Sequence, residues 1–234
     1  MTRPDAGAGP SPAPRSPEGR SRPVSGPSGW LSAPSVADVH LLFVCTGNIC
    51  RSPVAERLTT RWAEQALGAG AVHVASAGTD AMTGHAMHES SARALARLGG
   101  DPTGFLARSL VPGEAEDADL VLTMTRRQRH IVLRDAPRAM RRTFTLPEAA
   151  GLLALADLVG LADLPVDQRA RELALRLHAG RRTRPSGPDD DVRDPIGHPQ
   201  AVHTAVAEQV AQLLEPLTAL LFAGAPVPVA AGQA

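Results

Sequence analysis

The spacing of apolar residues predicts that strands and helices alternate along this chain. Val39–Val44 (VHLLFV) is an almost continuous apolar run, which is typical of a strand buried in a parallel sheet. A polar, glycine-containing loop follows, and Ser52-Pro53 then predicts a helix N-cap and the first helical residue. Because apolar side chains recur every four residues from Val54 to Ala66, we expect a helix that ends near Gly68.

The same alternation continues toward the C-terminus. Strands are predicted at Ala71–Ala75, Leu120–Met124 and Thr143–Leu146. Helices are predicted at Ser90–Leu98, at Arg126–Leu133, as a pair within Glu148–Ala179 broken around Pro165, and at Val202–Leu214 with a bend at Pro216. Strands that alternate with helices indicate an α/β fold, here a four-stranded parallel sheet with helices on both faces.

Composition divides the chain into three parts. Residues 1–36 are rich in Pro, Ser and Gly and predict a disordered tail. Residues 37–223 form the predicted domain, with an extended helical region at 148–191, and residues 224–234 predict a flexible tail. Because the N-terminal segment lacks the apolar stretch of a signal peptide, we expect a cytoplasmic protein.

Charge and cysteine content exclude some classes of protein. The 24 basic and 24 acidic residues cancel, so nothing at the level of the whole chain points to nucleic acid or to a membrane surface. No apolar run is long enough for a membrane span. Two cysteines, Cys45 and Cys50, are too few and too close together for a disulfide-built scaffold, so a chemical role is favoured.

Cys45–Ser52 (CTGNICRS) has the pattern Cys-x5-Arg-Ser between the first strand and the first helix. The backbone N–H groups of a tight loop at a helix N-terminus bind anions, and the same field stabilises a thiolate. Arg51 offers a planar fork for two phosphoryl oxygens. Gly47 permits close backbone approach, and Asn48 tolerates a left-handed conformation. The pattern therefore predicts a phosphate-binding loop after the first strand, with Cys45 as nucleophile.

A leaving oxygen needs a proton donor, and Asp194 is the best candidate. It lies in Asp191–Pro199 (DVRDPIGHP), where prolines stiffen the loop around the carboxyl group. An Asp-Pro pair alone is weak evidence, but it gains weight beside Cys-x5-Arg-Ser. We therefore predict Asp194 as the general acid.

Together these motifs make the chain resemble the low-molecular-weight protein tyrosine phosphatase family. The similarity extends over about residues 39–222 and includes Val44–Glu56, Ser76–Thr79, Ala118–Met124 and Asp194-Pro195. It implies hydrolysis of phosphotyrosine through a cysteinyl-phosphate, without cofactor or metal. The implied catalytic residues are Cys45, Arg51 and Asp194; the implied substrate-binding residues are Thr46, Gly47, Asn48, Ile49, Cys50 and Ser52; Ser76 would support the loop.

The resemblance leaves alternatives open. A protein-arginine phosphatase has a similar loop with Thr in place of Ile49, whereas isoleucine supplies an apolar wall that favours an aryl phosphate. Arsenate reductases of this fold need further downstream cysteines, and the chain has none after Cys50. A non-catalytic phosphoprotein-binding module would be expected to lack the nucleophile or the acid. Ile196 and Gly197 stand where family members often have aromatic residues, which questions the usual wall of the pocket.

Several polar residues have two interpretations. Cys50 either packs in the core or forms a protective disulfide with Cys45. His85, His88 and His198 lack the spacing of a metal site, so no metal is predicted. Arg126, Arg127 and Arg129 are more consistent with a solvated helix face than with a substrate-binding patch.

The resemblance also suggests a partner and a source. It implies a phosphotyrosine protein as partner, with a bacterial tyrosine kinase of polysaccharide export as the leading example. The absence of lysine and the abundance of alanine are typical of a GC-rich genome, so we expect a bacterial, actinobacterial-type member.

Overall fold

The first apolar run forms the central part of a parallel sheet in the computed structural model, which describes residues 39–223. The strands are β1 (Val39–Cys45), β2 (Val72–Gly78), β3 (Leu120–Thr123) and β4 (Thr143–Thr145). They pair in the order β2-β1-β3-β4, and every pair is parallel. The predicted four-stranded parallel sheet is therefore confirmed.

Helices connect and cover these strands. The described part of the chain contains α1 (Arg51–Leu67), α2 (Glu89–Arg97), α3 (Glu114–Asp117), α4 (Arg126–Asp135), α5 (Leu146–Leu153), α6 (Val166–Gly180) and α7 (Gln200–Leu221). The one-turn helix α3 was not predicted, because four residues are too few to show a helical period. Pro216 lies inside α7. The predicted tails at 1–36 and 224–234 fall outside the described residues.

Several element boundaries differ from the predicted ones, and three of these differences have a clear structural reason. β2 continues to Gly78, because the small residues after Ala75 pair with β1 up to Cys45. The N-cap of α1 is Cys50, so Ser52, the predicted cap, lies inside the helix. α5 begins directly after β4 with a capping box between Thr145 and Glu148, and it ends twelve residues before the predicted break at Pro165.

Side chains of β1 point alternately to the two faces of the sheet. Leu41 and Phe43 belong to the larger core cluster, which also contains residues of α1, α5, α6 and α7. Leu42 and Val44 belong to a second cluster, which contains residues of α3 and α4. Helices therefore cover both faces, as predicted, and the loop after Cys45 emerges between the two layers at the carboxyl edge, where such sheets bind ligands.

None of the helices within residues 39–223 has the length and apolarity that crossing a membrane would require.

Candidate active site

Cys45 ends β1, and the loop that follows it wraps around its sulfur. The Cys45 side chain is buried, and two groups reach Sγ: the backbone N–H of Asn48 at 3.3 Å and the hydroxyl of Ser52 at 2.9 Å. Both donate toward sulfur, and the first turn of α1 adds the positive end of its dipole. This environment stabilises a negative charge on Cys45 Sγ, whether on the free thiolate or on a departing one.

Asn48 holds the loop in shape from inside. It is fully buried, and its φ of 54° places it in the left-handed region that the sequence predicted it would tolerate. Its Nδ2 donates to the hydroxyls of Ser52 and Ser76, at 2.9 and 2.8 Å, and its Oδ1 accepts from the Arg108 backbone N–H at 2.8 Å. The structure therefore brings together Asn48 and Ser76.

The hydrogen-bond chain continues to a carboxyl group that the sequence analysis did not single out. Ser76 Oγ donates to Glu56 Oε2 at 2.6 Å. Burial raises the pKa of Glu56, against the opposing effect of this hydrogen bond. Glu56 is the last residue of Val44–Glu56, the longest segment that resembles the family, and its place in that segment could have indicated a role in the site. It anchors Ser76 and, through Ser76, Asn48.

A second backbone segment supports the phosphate loop from behind. Three hydrogen bonds join the two segments: Thr79 N–H to Cys45 O at 2.9 Å, Asp80 N–H to Thr46 O at 3.1 Å, and Met82 N–H to Gly47 O at 3.0 Å. A Cβ on Gly78 would lie 2.4 Å from Thr46 O, so only glycine permits this close approach. The motif Ser76–Thr79 therefore supports the phosphate loop at both ends, Ser76 through Asn48 and Thr79 through its hydrogen bond to Cys45 O.

Arg51 points from the first residue of α1 toward the loop that carries Asp194. Its guanidinium is buried and donates through Nη1 to Val192 O at 3.2 Å and through Nη2 to Asp194 Oδ2 at 2.6 Å. Within the described residues, its Nε has no hydrogen-bond partner. The structure thus brings the predicted anion-binding arginine and the predicted acid into direct contact, and it leaves one buried N–H donor available to a ligand.

The Asp194 loop is held to the N-terminus of α4. Val192 N–H donates to Met124 O at 2.8 Å, and the Arg126 backbone N–H donates to Asp191 Oδ1 at 2.7 Å. Although burial acts to raise the pKa of Asp191, hydrogen bonds from the side chain and backbone of Arg126 outweigh it and lower that pKa. Asp194 itself is half exposed, and its Oδ1 accepts from the Ile196 N–H at 3.2 Å.

The arginines of α4 do not form one basic patch. Arg126 pairs with Asp191, and Arg129 donates to Thr143 O while Arg127 is exposed. The interpretation as a helix face, rather than as a substrate-binding patch, therefore agrees with their contacts.

Apolar side chains flank the loop. Ile49 is 7% exposed, and its Cγ1 lies 3.7 Å from the position of a Cβ on Gly47; Met82 Cγ lies 3.9 Å from the same point. Met82 and Ile196 are exposed at 46% and 47%. Met82 was not predicted as part of the site, because nothing in the local sequence pattern places it beside Gly47. Thr46 is exposed, and its hydroxyl accepts from Gln128 Nε2 at 3.0 Å.

Cys50 lies on the inner side of the loop, and both cysteine thiols are free. Burial raises the pKa of Cys50 to about 11. Its neighbours include His88 and His203, whose rings stack with centroids 4.5 Å apart. Burial, followed by the charges of His88 and His198, lowers the pKa of His203. His85 and His198 are exposed and lie outside this group, and His203 was not considered from the sequence.

The chain is similar to low molecular weight protein phosphatases of known sequence. Residues 40–151 match the sequence profile described as low molecular weight phosphotyrosine protein phosphatase. The chain is 34% identical over 107 residues to the low molecular weight protein-tyrosine-phosphatase Ptp of Acinetobacter johnsonii. The aligned segment covers 46% of this chain and 71% of that protein. It is 36% identical over 116 residues to the protein-arginine-phosphatase of Bacillus subtilis, and that alignment covers 47% of this chain and 71% of the relative.

A solved structure extends the likeness to the fold. The low molecular weight protein tyrosine phosphatase from T. tengcongensis is 28% identical, with a TM-score of 0.56 over 77% of this chain and 97% of that one. The similarity therefore includes strands and helices beyond the segment matched by the sequence profile.

Proposed function

The chain belongs to the low molecular weight phosphotyrosine protein phosphatase family, and from that premise we propose that it hydrolyses phosphotyrosine through a cysteinyl-phosphate intermediate. The observation that carries the proposal is the convergence at one loop of Cys45 Sγ, the Arg51 guanidinium and the Asp194 carboxyl group. These groups supply a nucleophile, an anion clamp and a proton donor.

In the first step, Cys45 Sγ attacks phosphorus, and the bond between phosphorus and the phenolic oxygen breaks. Asp194, in its protonated form, gives its proton to that oxygen. Arg51 Nε, together with the loop N–H groups, binds the equatorial phosphoryl oxygens. Arg51 Nη2 donates to Asp194 in the free protein, so we expect phosphate to draw the guanidinium away, after which the released carboxylate takes up from solvent the proton that it then donates.

In the second step, water attacks the phosphorus of the cysteinyl-phosphate and the P–S bond breaks. The Asp194 carboxylate accepts the proton from that water. Sulfur departs as a thiolate, which receives hydrogen bonds from the Ser52 hydroxyl and the Asn48 N–H. Each group therefore returns to its starting state.

The side chains around the mouth favour an aryl phosphate. Ile49 and Met82 flank Gly47, and Ile196 follows the acid, so the half-exposed side chains of Met82 and Ile196 offer apolar surface to a phenyl ring. A protein-arginine phosphatase is the second candidate, because the Bacillus subtilis relative is as similar as the tyrosine phosphatases. As partner we propose a phosphotyrosine protein, for example a tyrosine kinase of polysaccharide export, and as location the cytoplasm.

Replacement of the nucleophile and the acid tests the mechanism. The unmodified protein should hydrolyse p-nitrophenyl phosphate in an assay without added metal, and Cys45→Ser should abolish that turnover. Asp194→Asn should slow turnover of phenyl phosphate by about 10²–10⁴-fold, and that of p-nitrophenyl phosphate by less, since its phenolate leaves without a proton donor. Asp189→Asn is the matched control, an exposed acid before the same loop. Equal loss on both substrates would contradict the role of general acid.

The substrate class is tested by competition between two peptides. We expect a higher kcat/KM for a phosphotyrosine peptide than for the same peptide with phosphoarginine. Ile49→Thr should shift the ratio toward phosphoarginine, whereas Ile49→Val, which keeps the apolar wall, should not. The ratio is independent of the fraction of folded enzyme, which matters because Ile49 is buried. Faster phosphoarginine turnover by the unmodified protein would overturn the assignment to tyrosine.

A further inference from the structure

Three potential metal ligands meet next to the end of the phosphate loop. One ligand atom each from Cys50, His88 and His203 lies within 4.8 Å of the other two. Cys50 is the N-cap of α1, His88 is the N-cap of α2, and His203 belongs to α7. The mechanism proposed above uses none of these three side chains.

Among the described residues, the His203 ring has a buried nitrogen whose missing hydrogen-bond partner is evidence for a bound ligand. The residue is 1% exposed, and within the described residues its Nε2 has no hydrogen-bond partner. Its other ring nitrogen, Nδ1, lies 2.8 Å from the Ser91 hydroxyl, which also interacts with Cys50. A buried polar atom without a partner costs about 1–3 kcal/mol. Metal-binding histidines have this arrangement, with one nitrogen oriented by a second group and the other directed at the ion.

We propose that Cys50, His88 and His203 bind a divalent ion of the zinc class. One thiolate and two imidazoles are the donors that Zn²⁺ prefers, and three protein ligands leave a fourth position for water. Donor atoms around tetrahedral zinc lie roughly 3.3–3.8 Å apart, so the donor atoms must approach one another by at most about 1.5 Å. The Cys50 thiol loses its proton to solvent when the metal–sulfur bond forms.

His88 must move for all three ligands to bind. Its ring is stacked on His203 at an interplanar angle of 13°, so the in-plane lone pairs of the two rings do not converge on one point. His88 Nδ1 accepts a long hydrogen bond of 3.3 Å from the Ser90 N–H, and the residue is only half buried. Ligation therefore turns this ring and weakens that helix cap. Cys50 and His203 should contribute more to affinity than His88.

The position of the site links it to the phosphate loop. The His88 N–H donates to Ile49 O at 2.8 Å, and Cys50 is the residue between Ile49 and Arg51. A bound ion would therefore join the end of the loop to α2 and α7 and would block Cys50 from reacting with other thiols.

Cobalt(II) tests the site independently of catalysis. The chain has two cysteines, so in the Cys45→Ser protein a thiolate-to-cobalt charge-transfer band must come from Cys50. We expect that band on titration with Co²⁺ and its displacement by Zn²⁺. Adding His203→Gln should weaken Co²⁺ binding by more than tenfold, and adding His88→Gln should weaken it less. Adding His85→Gln, an exposed histidine outside the group, should leave affinity unchanged.

Two results would overturn the proposal. One is the absence of the band from Cys45→Ser protein whose circular dichroism matches that of the unmodified chain. The other is an equal band in the Cys50→Ser protein, which would place the metal on Cys45. Because Cys45→Ser is inactive under the proposed mechanism, neither result depends on phosphatase activity.

Discussion

Asn48 combines a backbone conformation that few residues adopt with three hydrogen bonds of its side chain. Its φ of 54° disfavours residues with a Cβ other than Asn and Asp, and its amide links Ser52, Ser76 and the Arg108 backbone. Glycine would keep the conformation but lose the hydrogen bonds, whereas alanine would lose both. The two requirements can therefore be separated by experiment.

We predict that Asn48→Ala lowers the free energy of unfolding by about 3 kcal/mol, from lost hydrogen bonds and a strained φ. Asn48→Gly should be less destabilising than Asn48→Ala by about 1 kcal/mol, because glycine adopts positive φ freely. Urea denaturation of the three proteins measures both differences. If the two variants were equally stable, the left-handed conformation would contribute nothing.

At the scale of elements, the phosphate loop is stable because neighbouring segments hold it. The end of β2 has no space for a side chain at Gly78, and the Asp194 loop is attached to the first turn of α4 through Asp191. The geometry of the site therefore depends on contacts between elements that are distant in sequence.

Gly78→Ala should destabilise the protein by about 1–3 kcal/mol, because the added Cβ meets the carbonyl oxygen of Thr46. Gly187→Ala is the matched control, since that glycine has a φ of −149° and no atom within 4 Å of an added Cβ. Thermal unfolding of both variants checks the prediction. A Gly78→Ala protein as stable as the control would show that the two segments separate easily.

The Asp191–Arg126 ion pair makes a pH-dependent contribution to the stability of the folded protein. Because the folded pKa of Asp191 is lowered, its stabilisation is present above the usual Asp pKa of about 3.9 and is lost as pH falls through the lower folded value. Asp191→Asn should cost up to about 1 kcal/mol at neutral pH, since the pair is partly exposed.

We expect the stability difference between unmodified protein and Asp191→Asn to vanish by about pH 2, as measured by urea denaturation at several pH values. A difference that stays constant with pH would mean that ionisation of the Asp191 carboxyl group contributes nothing to stability.

At the scale of the whole molecule, a buried arginine joins the two C-terminal helices. Arg169 of α6 is 7% exposed, and its guanidinium donates to the carbonyls of Leu164 and Ala162 at 2.8 Å each, to Leu221 O at 3.3 Å and to Ala223 O. It thereby satisfies carbonyls at the end of α7, which have no partners within the helix.

Arg169→Lys should lower the free energy of unfolding by about 2–3 kcal/mol, because the single ammonium group of lysine cannot reach all the carbonyl oxygens that the guanidinium binds. Arg182→Lys, at an exposed position in the loop after α6, is the control. Urea denaturation compares the two proteins. Equal stability would show that lysine, with solvent, replaces the fork.

Local patterns by themselves determined the strand β1, the loop after it and the helix α1. These elements are contiguous, and the hydrogen bonds of Cys45 with Asn48 and Ser52 join residues at most seven positions apart. The α/β alternation and the parallel sheet also follow from local spacing, because a parallel pair needs a crossover helix. Helix starts were less predictable: Ser52 has the chemistry of an N-cap, yet its hydroxyl binds sulfur.

Only the tertiary structure decided which distant residues complete the site. Arg51 and Asp194 are 143 positions apart, and the sequence paired them by chemical role rather than by geometry. Met82 beside Gly47 and His203 beside Cys50 have no local signal, because periodicity describes one element at a time and says nothing of where two elements meet. The sequence therefore determined the cysteine-containing loop, while packing decided the rim and the inner histidine–cysteine group.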